Sequence, residues 1–278
     1  MQVTRLAPGA RLAPFVRGYA IVETREPATR ALLPERGIVI GLRFAGAADL
    51  LEDGAARRVA NAAITGIQAT TRHMQTAAHS GIVLAMLAPA GAQRFFAQPL
   101  HELYGRTGAL DDLVPRAELA RIEARLGEAR DHGARIAEVE RFLLARLAPE
   151  ADPVVDAAVA AIAAAHGVVR IATLARRLGI SQDPLEKRFR RAVGASPKQL
   201  AQLIRLQHVI DDPRGGASWS ARAVAAGYFD QSHFIREFRA MTGEAPTRFF
   251  QPGRFCGADE PRAIPSPDVA AARARIAR

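Results

Sequence analysis

The chain has 278 residues, 49% of them apolar and 24% charged, a balance that excludes a disordered polymer and leaves room for two modest domains. No run of about 20 apolar residues lacks a charge or a breaker, and the N-terminal MQVTRLAPGARLAPF has no continuous apolar signal core, so a cytoplasmic protein with no membrane partner is expected. A formal charge of +10 points to polyanionic partners such as nucleic acid, and the single cysteine, Cys256, excludes an internal disulfide and a Cys-rich zinc site.

The first ninety or so residues read as short strands. YAIVET, IVIGLRFAG, RRVANAAITGI, TTRHMQTAAH and GIVLAMLAP are apolar or alternating runs punctuated by Gly, Pro and Asp, which predicts a β-rich domain of barrel or sandwich type. In IVIGLRF, the period of two sends Ile38, Ile40, Leu42 and Phe44 to one face and Val39, Gly41 and Arg43 to the other. After Pro89 the spacing turns helical over 116–126 and 134–147. In the second stretch Ile136, Val139, Phe142, Leu143 and Leu147 share a stripe, which is either core or a dimer seam. APEADP, residues 148–153, then breaks the helix and reads as a linker between domains.

Residues 153–250 read entirely as helix and carry 14 Arg and Lys against 8 Asp and Glu, so the basic excess is concentrated there. Helices are expected over 154–165, 171–178, 182–193 with Ser181 as cap, 197–211, 218–226 and 230–242, followed by a turn from Pro246. The fold class is therefore α+β in two domains: a β-rich domain with flanking helices over 1–150, an all-α domain over 151–255, and a tail over 256–278.

The helical part repeats itself. Ile171, Leu174, Ala175 and Gly179 match Trp219, Arg222, Ala223 and Gly227 at an offset of 48; Ser181, Gln182, Leu185, Phe189, Gly194 and Pro197 match Asp230, Gln231, Phe234, Phe238, Gly243 and Pro246 at an offset of 49. Each half is a short helix, a tight turn and a longer helix, which is a helix-turn-helix made twice, over 171–193 and 219–242. In the longer helices Leu185 and Phe189, and Phe234, Phe238 and Met241, fall on the inward stripe. The opposite stripes carry Gln182, Asp183, Glu186, Lys187 and Arg190 in the first unit, and Gln231, Ser232, His233, Arg236 and Arg239 in the second. These are residue types that can meet base edges in a major groove, so all ten are candidate DNA-binding residues. Arg188, Arg191, Lys198 and, among the ten, Arg239 are candidates for phosphate contact or plain surface charge.

LARRLGISQDPLEKRFRRAVGASPKQL and VAAGYFDQSHFIREFRAMTGEAPTRF resemble the two helix-turn-helix units of AraC/XylS-type transcription regulators, including the one-residue difference between the two turns. The resemblance implies a sequence-specific DNA-binding regulator whose two recognition helices enter successive major grooves, with Asp183, Glu186, Lys187, Gln231, Ser232 and Arg236 as base readers. Arg222 departs from the pattern, standing where the family usually has an apolar residue; it would snorkel or pair with an acid. LLPERGIVIGLRF and LAPAGAQRFFAQPLHELYGRTGALDDL resemble, over roughly residues 10–115, the β-rich sensor domain of some members, which implies a sensor role for the domain 1–150. The partners implied are double-stranded DNA, a small-molecule effector of unknown identity, RNA polymerase if the regulator activates, and a second copy of the chain; no cofactor is expected.

In the N-terminal part, Arg43, Arg72, His73, His79 and His101 are the polar candidates for an effector or metal site, although the histidine spacing matches no strong ligand pattern. Arg43 either binds a carboxylate inside the β domain or forms a salt bridge with Glu23 or Glu35. The alternative function is a DNA-modifying or repair enzyme on an AraC-like module. Alkyl transfer needs activated thiolates, and Cys256, alone and near the tail, serves that reading poorly.

Overall fold

The computed structural model describes residues 1–52, 55–148, 151–211 and 219–250; Cys256 and the expected tail 256–278 lie outside them. Among the described residues, the N-terminal part holds ten strands in two antiparallel sheets. The larger sheet contains β1 (Gln2–Leu6), β2 (Val16–Thr24), β9 (Ser80–Leu87), β4 (Val39–Ala45), β7 (Ala62–Thr65) and β10 (Thr107–Ala109), in that order. The smaller contains β3 (Ala28–Leu32), β8 (Arg72–Thr76), β5 (Ala48–Glu52) and β6 (Ala55–Arg58). It is a sandwich in which the larger sheet has a different partner on each face.

That division follows from strand alternation. Tyr19 and Ile21 of β2, Ile40 and Leu42 of β4, and Val83, Ala85 and Leu87 of β9 form a buried layer with α1 (Arg116–Glu128) and α2 (His132–Arg146). The α2 stripe Ile136, Val139, Phe142 and Leu143 is part of this core, which settles its alternatives in favour of core. The intervening residues, Val22 and Thr24, Val39 and Arg43, Ile82, Leu84 and Met86, look into a cavity closed on its far side by the smaller sheet. Strands β1, β3 and β5 were not legible as separate runs: QVTRL and ATRAL are half-exposed along most of their length and mix charge with small residues.

The C-terminal part is helical: α3 (Pro153–Ala164), α4 (Ile171–Arg177), α5 (Gln182–Val193), α6 (Pro197–Ile210), α7 (Trp219–Ala225), α8 (Gln231–Thr242) and the short α9 (Pro246–Phe249). The repeat is visible in the backbone. Gly179 and Gly227, in the two turns, have φ of +70° and +75°, and Gly194 and Gly243, ending the two longer helices, have +92° and +82°. A residue with a Cβ is strained in that left-handed region, so the turns and helix stops recur because the glycines do. Ser181 occupies the cap position of α5 with extended backbone, but its hydroxyl makes no capping bond. In the second unit Asp230 does cap, accepting from the His233 amide at 2.6 Å.

One core serves both helix-turn-helix units. Leu185, Phe189, Leu200, Leu203, Phe234 and Phe238 are each at most 1% exposed. Phe238 meets Phe234 at 5.6 Å and Phe249 at 5.1 Å between ring centroids, an arrangement worth roughly 0.5–1.5 kcal/mol per pair beyond area burial. The two parts of the chain are packed together. Ile67 of the β domain belongs to the helical core, the 3-10 turn Leu100–Leu103 lies against α5, and the Thr71 amide donates to the Met241 carbonyl at 2.9 Å.

Candidate nucleic-acid interface and ligand cavity

Each recognition helix has a buried ridge and a free one. In α5, Leu185, Phe189, Ala192 and Val193 are buried; Gln182, Asp183, Lys187 and Arg190 are exposed and Glu186 is half-buried. In α8, Phe234, Phe238 and Met241 are buried; Gln231, Ser232, Arg236 and Arg239 are exposed, and His233 is half-buried. The β domain therefore covers neither polar ridge, although it touches the C-terminal end of α5. His233 is the most constrained of the ten candidates, with its ring edge-on to Tyr228 at 5.5 Å and its Nε2 3.8 Å from the Glu237 carboxylate. Gln231 accepts a hydrogen bond from the Ser220 hydroxyl at 2.6 Å, which ties the start of α8 to α7.

Arg191 and Lys198 are exposed, whereas Arg188 has a protein partner. Its Nε and Nη2 donate to the two oxygens of Asp152 at 2.7 and 2.6 Å. The same carboxylate caps α3 by accepting from the amides of Val154 and Val155. Burial pushes the Asp152 carboxyl up, but Arg188 and the two amides outweigh it and hold the group below the usual aspartate range. Arg188 thus fastens the first recognition helix to α3.

Arg222 does not snorkel, and it pairs with no acid among the described residues. It is 8% exposed, its Nη2 donates to the Val209 carbonyl near the end of α6 at 2.9 Å, and its guanidinium lies 4.7 Å from the ring centres of both Trp219 and Phe250. Those two faces replace the apolar neighbours that an aliphatic residue would have met there. Glu237, to which sequence periodicity assigned no role, is half-buried on the flank of α8, where it accepts from Arg205, Gln202 and Tyr228. Its one sequence signal was an acid on an otherwise basic helix, next to the inward Phe238.

The cavity between the two sheets has a volume of about 210 Å³, and Gln207, Ile210 and Asp211 at the end of α6 complete its wall. Its middle is apolar, with Ile82, Leu84, Met86 and Met74, and Arg43 and Arg72 bring charge into it. Arg43 is 5% exposed and forms neither expected salt bridge: Glu35 pairs with Arg17, and Glu23 lies 3.2 Å from His132. Its Nε and Nη1 are buried with no hydrogen-bond partner among the described residues. Asp49, the nearby acid, is paired with Arg58 at 2.8 Å. Burial, then Arg58 and Arg30, push the Arg43 guanidinium below its ordinary value. Arg72 donates to Thr107 Oγ1 at 2.8 Å, and burial pushes it down to about 10. His73, His79 and His101 are exposed on three separate segments, and no group of three His, Cys, Asp or Glu side chains converges on a metal-sized site among the described residues. No helix among the described residues is long and apolar enough to cross a membrane.

Residues 174–252 match the family described as a helix-turn-helix domain. A probable AraC family transcriptional regulator from Rhodopseudomonas palustris is similar at 31% identity over 35% of this chain and 94% of its own, with a TM-score of 0.31. ToxT from Vibrio cholerae is similar in fold at 13% identity over 83% of this chain and 96% of its own, with a TM-score of 0.42. The AraC-like transcriptional activator CuxR is similar at 15% identity over 78% of this chain and 88% of its own, with a TM-score of 0.27. A search of curated protein sequences finds no match.

Proposed function

The chain belongs to the AraC family of DNA-binding transcription regulators, and from that premise we propose how its residues divide the task of reading an operator. Gln182, Asp183, Glu186, Lys187 and Arg190 of α5 and Gln231, Ser232, His233, Arg236 and Arg239 of α8 face DNA, each helix in its own major groove, with the six base readers among them at the helix starts and middles. The observation that carries this is the duplicated division of each helix into a buried apolar ridge and a free polar one. Arg236 is the strongest candidate for a base contact, because an exposed guanidinium there can grip guanine O6 and N7 with two parallel bonds. A domain limit at 150/151 suits the break between α2 and α3; the limit near 255 lies outside the described residues. On this reading the chain is a cytoplasmic regulator without catalytic residues. A second copy of the chain and, if it activates, RNA polymerase are its further protein partners.

The β domain is the sensing part, and its ligand enters the cavity between the sheets. An unpaired buried guanidinium in an apolar cavity favours an anionic small molecule with an apolar body, whose carboxylate or similar group would take the two free nitrogens of Arg43. Because α6 forms part of the wall, an occupant would touch the helix that joins the two DNA-binding units. The test is selection of duplexes from a random library by the full chain, repeated with Arg236→Ala. A bipartite site should emerge, and the variant should lose preference at one position in one half, at a cost of about 1–3 kcal/mol. Equal weakening on every sequence would make Arg236 a phosphate contact.

A further inference from the structure

The repeat places Arg188 and Glu237 at equivalent positions, 49 residues apart, each just before the inward phenylalanine of its recognition helix. Both are clasps rather than readers, but they fasten their helices to different things. Arg188 ties α5 to Asp152 at the start of α3. Glu237, with its side chain only 11% exposed, ties α8 to α6: Oε1 accepts from Arg205 Nη2 at 3.2 Å and from the Tyr228 hydroxyl at 3.0 Å, and Oε2 accepts from Gln202 Nε2 at 3.2 Å. The Arg205 guanidinium also covers the Tyr228 ring at 4.8 Å. A second fastening joins α7 to α6, through the Arg222 bond to the Val209 carbonyl.

Both helices of the second unit are therefore bound to the linker helix by polar contacts, a part-buried one at its middle and a buried one at its end. We infer that Glu237, with Arg205 and Gln202, and Arg222, with the Val209 carbonyl, are positioning residues that set the second recognition helix at one angle to α6, so that the protein measures the spacing between the two halves of its operator. This rests on the regulator reading above.

The physical reason is that neither contact contributes to base recognition. Arg222 is buried, and the half-buried Glu237 carboxylate turns to Arg205, Gln202 and Tyr228, with His233 Nε2 3.8 Å away. Apolar packing alone tolerates small rotations between helices, since dispersion is non-directional. A carboxylate gripped by three donors, and a guanidinium held between two rings with one bond to a helix end, are directional and permit one arrangement. The first unit is joined to α6 by the short connection 194–196 and through α3, to which Arg188 fastens α5 and which itself packs along α6, so both recognition helices are tied back to α6 and held in fixed relation. Simultaneous engagement of two half-sites then requires the correct separation on the duplex. An insertion of one base pair would cost roughly 10²-fold through loss of the intramolecular second contact.

The experiment uses the full chain and a bipartite duplex that the wild-type protein enriches from a random library, together with duplexes having one base pair added or removed between the halves. Wild type should discriminate against both altered spacings by about 10²-fold. Glu237→Leu and Arg222→Met should reduce that discrimination at least tenfold while leaving base preference within each half unchanged. Glu237→Gln keeps the shape and one acceptor oxygen for Tyr228 and Arg205, and loses the charge and the second acceptor that Gln202 uses; it should fall between, and it stands in if the leucine variant does not fold. The inference is overturned if these variants weaken all spacings equally, if they leave the discrimination intact, or if wild type binds all spacings alike. A wild-type chain that enriches no duplex at all would instead sink the regulator reading itself.

Discussion

Replacing Arg43 by methionine should stabilise the protein. Arg43 is 5% exposed, two of its nitrogens have no hydrogen-bond partner among the described residues, and the nearby Asp49 is held by Arg58. A buried polar group left unsatisfied costs about 1–3 kcal/mol, and methionine keeps the unbranched stem in contact with the cavity wall while removing the charge. Allowing for imperfect filling of the guanidinium's space, Arg43→Met should gain about 1–2 kcal/mol, a rise of roughly 3–6 °C in Tm for a chain of this size. The assay is thermal unfolding followed by circular dichroism, without ligand and with a series of aromatic and alkyl monocarboxylates. A carboxylate that fits should raise the wild-type Tm, since an occupant at about 100 times its Kd stabilises by about 2.7 kcal/mol, and should leave Arg43→Met unmoved. The sequence would then have kept a destabilising cation for its use in binding. A methionine variant less stable than wild type by more than about 1 kcal/mol would refute this, because the guanidinium would then be satisfied where it sits.

Two further outcomes test the frame that carries the interface. Asp152→Asn removes a carboxyl held below its ordinary value by Arg188 and two amides; the stability from that shift is present above the unfolded Asp range, near pH 4, and is lost as pH falls through the lower folded value. Urea midpoints should therefore show a wild-type advantage at pH 6 that shrinks towards about pH 2, and a gap that is independent of pH would mean the ion pair contributes nothing. Gly194→Ala puts a Cβ at φ +92° and 2.9 Å from the Leu100 carbonyl, so it should cost about 1–2 kcal/mol and loosen α5 from the β domain, seen as faster amide exchange over residues 100–103. Unchanged exchange there would show that the turn gives way without strain.

Much of the helical half was legible because its information is local. The period of Leu185 and Phe189, repeated in Phe234 and Phe238, and the matched glycines specify helix, stop and turn within a few residues, and the described helices follow the expected spans closely. The alternation of Ile38, Ile40 and Leu42 against Val39 and Arg43 likewise assigned two faces to β4 before its neighbours were known. Strands β1, β3 and β5 were less legible, because short half-exposed strands carry little pattern and owe their existence to the partners they pair with.

The chain alone determined that two amphipathic helices recur with polar ridges suited to duplex grooves, because a helix's ridge is a matter of spacing along one segment. It could not say which charges meet. Arg43 had Glu35 and Glu23 within plausible reach in sequence and pairs with neither; Arg188 looked free and is held by Asp152; Arg222 looked misplaced and lies between two rings; Glu237 drew no notice and holds α8 to α6. Those pairings were decided by the tertiary structure, since whether a charge is paired or stranded depends on distances between segments far apart in the chain, and only folding sets those distances.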